Sequence, residues 1–325
     1  MSIDSPRLLS AVRDPADVAF RGIARGGGII VLTIMSLVGI FLGYRASQAL
    51  GVSGFSFLTE QAWEPDSGKF GIAAVLVGTI LIALVAISLA VPLATGTALY
   101  ITEYAPRGLR KFLIGLVDVM AAIPSVVYGL WGFFFLQGSI TPVSKWISQT
   151  FGWIPIFAVD GADPNDPLSS VTVYTSSTFI AGIVVGFMIT PIITSIMREV
   201  FSQAPLGERE GALALGSTRW GMIRSVVLPF GRGGMIGGTM LGLGRALGET
   251  IAVYMIISPV FAIQPHILQN GASSVSALIA LRYGEATEFG MSALMAAGLA
   301  LFVMTLIVNF AASTIVARSR SGASS

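Results

Sequence analysis

There is no cysteine in this 325-residue chain, so it can build neither a disulfide nor a thiolate metal site. It has a single histidine, His266, which rules out metal motifs that need a pair. Charge is scarce too: 11% of the residues are Asp, Glu, Lys or Arg, against roughly 25% in soluble domains. A phosphate-cradling G-x-x-x-x-G-K-[ST] loop is missing, since Gly68-Lys69 is followed by Phe70. ATP hydrolysis by that route is excluded, and energy for any work must come from another subunit or an ion gradient. An intramembrane enzyme would need a nucleophile and base or a metal pair, and a lone histidine without thiols speaks against one. The net charge of +2 gives no reason to expect a nucleic-acid partner.

What the chain has in quantity is apolar surface: 54% hydrophobic residues and a mean hydropathy of +0.81. Such a composition predicts an all-α polytopic membrane protein with about six transmembrane helices. A polar N-terminal segment covers 1–26. Spans are expected at 27–44, 72–101, 112–136, 178–197, 234–257 and 290–316, within one membrane domain at 27–320. The first run is too long and too late for a cleavable signal. Three longer loops, 45–70, 137–177 and 258–289, should lie on one side. Within the second, Val143, Trp146, Ile147, Thr150 and Phe151 suit a short helix on the membrane surface, with Trp146 and Trp153 at headgroup level. Asp160, Asp163 and Asp166 recur among Pro and Gly without the bidentate Glu of a calcium loop, and read as a solvated turn.

Basic residues divide unevenly. Arg7, Arg13, Arg21, Arg25, Arg107, Arg110, Lys111, Arg198, Arg209, Arg219, Arg224, Arg232, Arg318 and Arg320 fall on the side that holds both termini; Arg45, Lys69, Lys145 and Arg282 fall on the other. The excess places the termini and the loop at 198–233 in the cytoplasm.

That loop reads as two short helices. Pro205 can open the first, with Glu208 and Glu210 near its positive end. Gly216 can close it in the left-handed conformation. Ser217 or Thr218 can cap the second, whose Met222, Ile223, Val226 and Val227 share a face before Pro229 stops it. Without a partner this is an ordinary amphipathic loop; its starts and stops also suit a docking surface for a soluble protein.

In the fifth span Gly234, Gly238 and Gly242 recur every four residues, as do Gly244 and Gly248, a spacing that lets helices approach closely. Arg245 and Glu249 lie four residues apart in the same span, expected on one face. A mid-membrane charge costs about 3 kcal/mol on insertion scales, so such residues normally meet a cavity or a partner. They could form a local ion pair. Alternatively Arg245 faces a route for an oxyanion, whose oxygens its planar fork of donors matches, while Glu249 positions it and limits trapping. Asp118 is a possible third member.

The order Glu210-x-Ala212, then Gly216, then Val226-x-Leu228-Pro229 resembles the EAA loop of ABC-importer permeases, with Gly211 where Ala is usual and Val226 where Ile is commoner. In that family the loop is the coupling helix seated on the ATP-hydrolysing subunit, which implies this role for Glu210, Gly211, Ala212, Gly216, Leu228 and Pro229. Gly244-Arg245-Ala246-Leu247-Gly248-Glu249-Thr250, Ala98 to Pro106 and Ile123 to Leu130 are similar to segments of phosphate ABC-importer permeases, of the PstC type more than its PstA-type sister. The resemblance implies the type I ABC-importer permease (MetI-like) fold. Its expected partners are a PstA-type sister permease, a dimer of PstB-type ATP-binding subunits, an extracytoplasmic PstS-type phosphate-binding protein and membrane lipid. It implies no cofactor. The family's intramembrane Arg and Glu fall on Arg245 and Glu249. The residues themselves indicate only an anion, so another oxyanion, or a secondary transporter, stays open.

Overall fold

The computed structural model describes residues 15–160 and 171–320. Arg7, Arg13, Asp163 and Asp166, and the side chains of Arg318 and Arg320, lie outside the described residues. Among the described residues the fold is helical with one small hairpin, and six helices are long and apolar enough to cross a membrane: Pro15–Leu58, Ala73–Tyr104, Ser125–Phe151, Thr178–Ser202, Arg219–Leu247 and Glu288–Ala311.

The centre is α2 (Ala73–Leu99) against α6 (Thr178–Ser202). Ala86, Ala90, Ala94 and Ala98 recur every four residues along α2 and are fully buried. A Cβ on Gly182 of α6 would lie 2.5 Å from Val85, and one on Gly186 would lie 3.1 Å from the Ala86 carbonyl. Small residues on both helices let the backbones close up, and in lipid that van der Waals packing, not apolar burial, holds helices together. Ser177 caps α6, its hydroxyl accepting from the Ile180 N–H.

A second cluster joins α1 (Pro15–Ser53) to α12 (Glu288–Arg320). Ser292 ties them by accepting from the Ala49 N–H at 3.1 Å and donating to the Arg45 carbonyl at 2.7 Å. A hairpin of β1 (Trp63–Glu64) and β2 (Lys69–Phe70) stacks Phe70 edge-on to Phe57, Trp63 and Phe289.

Three expectations about the spans need correcting. First, the helix over 27–44 begins at Pro15 and runs to Ser53, so part of the expected 45–70 loop is helix. Arg21 pairs with Asp17 one turn away in its first turns. Second, 112–136 is not one helix. α3 (Arg107–Ala122) ends at Ile123, which is extended, because Pro124 disfavours helical geometry in the residue before it. A new helix opens at Ser125 and runs as α4 (Ser125–Trp131), a wider π turn at Gly132–Leu136, and α5 (Gln137–Phe151). The predicted surface helix around Trp146 is therefore the far end of this long helix. α3 is amphipathic instead: Leu109, Phe112, Leu116 and Val119 are exposed on it beside Arg107, Arg110 and Lys111.

Third, Pro229 does not stop the second loop helix. α8 (Arg219–Met222), a π turn at Ile223–Val227 and α9 (Leu228–Leu247) form one continuous rod. The π turn accommodates the proline, whose missing N–H is harmless at the start of the next stretch. At its other end the rod stops at Leu247, so the expected 234–257 span is broken before α10 (Ile251–Ile256). The outer segment that follows carries a short α11 (Val275–Arg282).

Candidate functional site: a docking loop and an intramembrane arginine

The loop after α6 folds as its residues suggest. α7 (Leu206–Ala214) begins just after Pro205, which sits at the N-cap and not at the first helical position, and closes just before Gly216, whose φ of +87° is the left-handed region that side chains resist. The Ser217 N–H donates to the Ala212 carbonyl and the Gly216 N–H to the Leu213 carbonyl, satisfying the last turn. Thr218 caps α8, accepting from the Gly221 N–H at 3.1 Å. Met222, Ile223 and Val227 turn into the central core, with Ala212 and Leu228 packed against it. Glu210, Gly211 and Pro229 are exposed. Exposed as well are Leu206, Leu213, Trp220 and Leu215, the last at 91%. These four, on α7, its C-terminal turn and α8, make an open apolar set of the kind that marks contact surfaces.

A buried ion pair anchors the loop. The last turn of α2 widens into a π turn at Tyr100–Tyr104, which carries Glu103. Its carboxylate meets Arg209 of α7 at 3.1 Å, with side-chain exposures of 6% and 16%. Arg209 also donates to the Phe201 carbonyl at the end of α6. Arg219 lies over the Tyr104 ring, 5.5 Å from its centroid. Two contacts thus fasten the loop to the end of α2. The pair was not anticipated from sequence, although Glu103 belongs to the segment Ala98 to Pro106 already singled out. Both residues are expected on the same membrane side, but nothing in their spacing joins them.

The glycine stripe packs as expected. Along α9, Cβ atoms on Gly234, Gly238 and Gly242 would meet Val200 at 2.3 Å, Ile196 at 3.3 Å and Ile193 at 2.5 Å. Gly231 extends the stripe against Phe201, whereas Gly244 and Gly248 face no comparable neighbour. α9 therefore runs antiparallel to α6. Since Gly242 sits at the level of Ile193, Arg245, one turn further, stands near mid-height of α6.

Arg245 and Glu249 do not share a helical face. α9 ends between them, and no ion pair joins them among the described residues. Glu249 is 8% exposed; its carboxylate accepts from the Ala252 N–H at 3.2 Å, and its carbonyl accepts from the Ser276 hydroxyl at 2.7 Å. It caps α10, where a negative charge suits the positive helix end. Arg245 is exposed. Tyr128 is buried in α4, and its hydroxyl donates to the Met120 carbonyl at 3.0 Å, spanning the break at Ile123 and Pro124. The two interrupted helices meet where Gly129 of α4 lies against Ala252 of α10, and Arg245 lies two residues before the end of α9. Asp118 on α3 is exposed. Broken helices near mid-membrane are where polar backbone can be spared for a passing ion.

On the other side His266 Nδ1 lies 2.6 Å from the Pro155 carbonyl, to which it can only donate, and its Nε2 is 3.2 Å from the Asp160 carboxylate. Asp160 sits in a turn with its side chain 75% exposed, as expected of a solvated turn, and its N–H donates to the Gln269 side-chain oxygen. Nearby, the Glu60 carboxylate is held below the usual range by the backbone N–H groups of Ala62 and Gln61.

Known proteins place this architecture. Residues 90–321 match the family of binding-protein-dependent transport system inner membrane components. The phosphate transport system permease protein PstC 2 of Mycobacterium tuberculosis is 37% identical over 96% of both chains. PstC of Xylella fastidiosa is 38% identical over 90% of this chain and 88% of its own, and PstC of Mesorhizobium japonicum 38% over 90% and 87%. Among solved structures, a chain of a bacterial alginate ABC transporter bound to its alginate-loaded periplasmic protein superposes with a TM-score of 0.60 at 16% identity, covering 92% of this chain and 94% of that one. A chain of the MetNI methionine transporter in an inward-facing form gives 0.51 at 14% identity over 77% and 94%; both show the fold alone. The chain belongs to the binding-protein-dependent transport system inner membrane components, in the branch of the PstC permease proteins, and has the ABC-importer permease fold.

Proposed function

We propose that the chain is the permease subunit of an ATP-driven phosphate importer, forming half of the translocation pathway. The observation that carries this is end-to-end similarity to PstC proteins, together with a mid-height arginine left open by its own chain. Arg245 offers the approaching anion its fork of donors. Glu249 acts on it at one remove, by fixing the start of α10 and keeping the local charge from trapping the anion. A PstA-type sister would supply the other half, a PstB-type dimer would receive α7, and a PstS-type protein would deliver phosphate from outside. The membrane is the bacterial inner membrane, with both termini cytoplasmic.

Mechanically, closure of the ATPase dimer pulls α7 and the residues from Glu210 to Gly216. The Glu103–Arg209 pair carries that pull to α2, and the Arg219–Leu247 rod carries it towards Arg245. The pathway opens outward, and hydrolysis resets it.

The test is phosphate uptake by vesicles holding the reconstituted complex. Uptake should require ATP inside and the binding protein outside. Uptake by this chain alone under a proton gradient would overturn the reading, and transport of sulfate or molybdate in preference to phosphate would redirect it to another oxyanion.

A further inference from the structure

Where α2 ends, a cavity of about 150 Å³ opens between α3, α6 and α7. It is lined by Ile101, Thr102, Arg110, Ile114, Arg198, Glu199, Ser202 and Arg209, and so draws one arginine from each of three helices against a single carboxylate. Counting Glu103 behind Arg209, the balance is three cations to two anions, a surplus of one. The three guanidiniums are not spent alike. Arg110 donates to the Thr102 carbonyl. Arg209 meets Glu103 and the Phe201 carbonyl, and its Nε and the Glu103 Oε1 are both buried without a hydrogen-bond partner. Arg198 joins no ion pair among the described residues. Glu199 is engaged by the Gln203 amide at 3.2 Å. A cavity whose lining carries a surplus cation, with Arg198 in no ion pair among the described residues, suits an anion.

Position says which anion. α3 forms one wall, and its exposed Leu109, Phe112, Leu116 and Val119 next to Arg107, Arg110 and Lys111 make it an interfacial helix. The cavity therefore sits at headgroup depth, with Ile101 and Ile114 supplying an apolar rim. Basic pockets between membrane helices on the cytoplasmic side take lipid phosphates.

We propose that this cavity binds the phosphate headgroup of an anionic phospholipid, placing a lipid in contact with Arg209 and hence with the anchor of α7. The inference rests on the reading above in taking this side as cytoplasmic and α7 as the docking helix. A free phosphate shares the chemistry but not the location; the interfacial wall favours the lipid.

The experiment uses the assembled complex in detergent, offered equal phosphatidylglycerol and phosphatidylcholine and examined by native mass spectrometry. Phosphatidylglycerol should be retained preferentially. R110Q/R198Q should weaken its retention roughly 25-fold, at about fivefold per arginine, while R224Q, an exposed arginine outside the cavity, should not. Millimolar inorganic phosphate should not displace the lipid. Equal retention of both lipids, or full retention by the double variant, overturns the proposal. Displacement by inorganic phosphate overturns the lipid as occupant. If the double variant fails to assemble, R198Q against R198K decides: retention must follow the charge. ATP-driven uptake measured on the same preparations reports separately on the transport reading, so loss of lipid preference with uptake intact sinks this inference alone.

Discussion

Arg209→Met removes one half of the ion pair that joins α7 to α2. Glu103 then stays 6% exposed with its charge uncompensated. Breaking a buried pair from one side destabilises by about 3–5 kcal/mol. Glu103→Gln is milder: it removes the charge but keeps the shape, and Arg209 keeps the Phe201 carbonyl, so about 1–3 kcal/mol is expected for a charged donor left poorly matched. The double variant E103Q/R209M leaves neither charge buried. Its effect should fall short of the sum of the singles by roughly 2 kcal/mol, within the range of coupling for residues in contact. The measurements are unfolding of the purified complex and, separately, phosphate moved per ATP hydrolysed. If the pair carries motion, E103Q should keep the ATPase bound and hydrolysing while transport per ATP drops. Additivity of the two substitutions within about 0.5 kcal/mol, with transport per ATP unchanged, would refute the anchor.

Gly78→Ala would put a Cβ 2.0 Å from the Ser273 carbonyl, where Val275 also donates to Thr79; overpacking of about 1–3 kcal/mol should appear as a lower melting temperature, and an unchanged melt would contradict the contact. Gly216→Pro demands a φ near −65° where the backbone has +87°, so the ATPase should detach or hydrolyse without transport, and normal co-purification with normal stimulation would count against docking at α7. Arg245→Gln should reduce uptake strongly while the complex stays assembled, and wild-type uptake would remove Arg245 from the pathway.

Much of the architecture can be read from local pattern. Composition and apolar runs announce a multi-pass helical protein because a bilayer core admits few other solutions. Gly216 and Thr218 mark their helix ends because caps are decided within a few residues. Gly234, Gly238 and Gly242 announce a close helix contact, though not that α6 is the partner. Prolines misled in both directions. Pro124 divides an apolar run that looks continuous, while Pro229, which looks like a stop, sits inside a continuous rod. A proline fixes its own φ and removes a donor; whether the chain breaks, bulges or carries on is settled by what packs around it.

Arg245 and Glu249 show the same division most clearly. Residue type and a run of apolar neighbours suffice to mark both as costly and therefore purposeful. That they part company, one capping α10 from a buried position and the other left open, depends on the helix ending at Leu247, which a four-residue spacing could not reveal. Glu103 and Arg209 make the complementary case: more than a hundred positions separate them, and each alone looks like a surface charge at a helix end. Periodicity, capping and hydropathy act over a turn or two and are written in the chain. Which distant charges meet, and which helix ends face each other inside the bilayer, follow only from the packing of α2, α6 and α9 against one another.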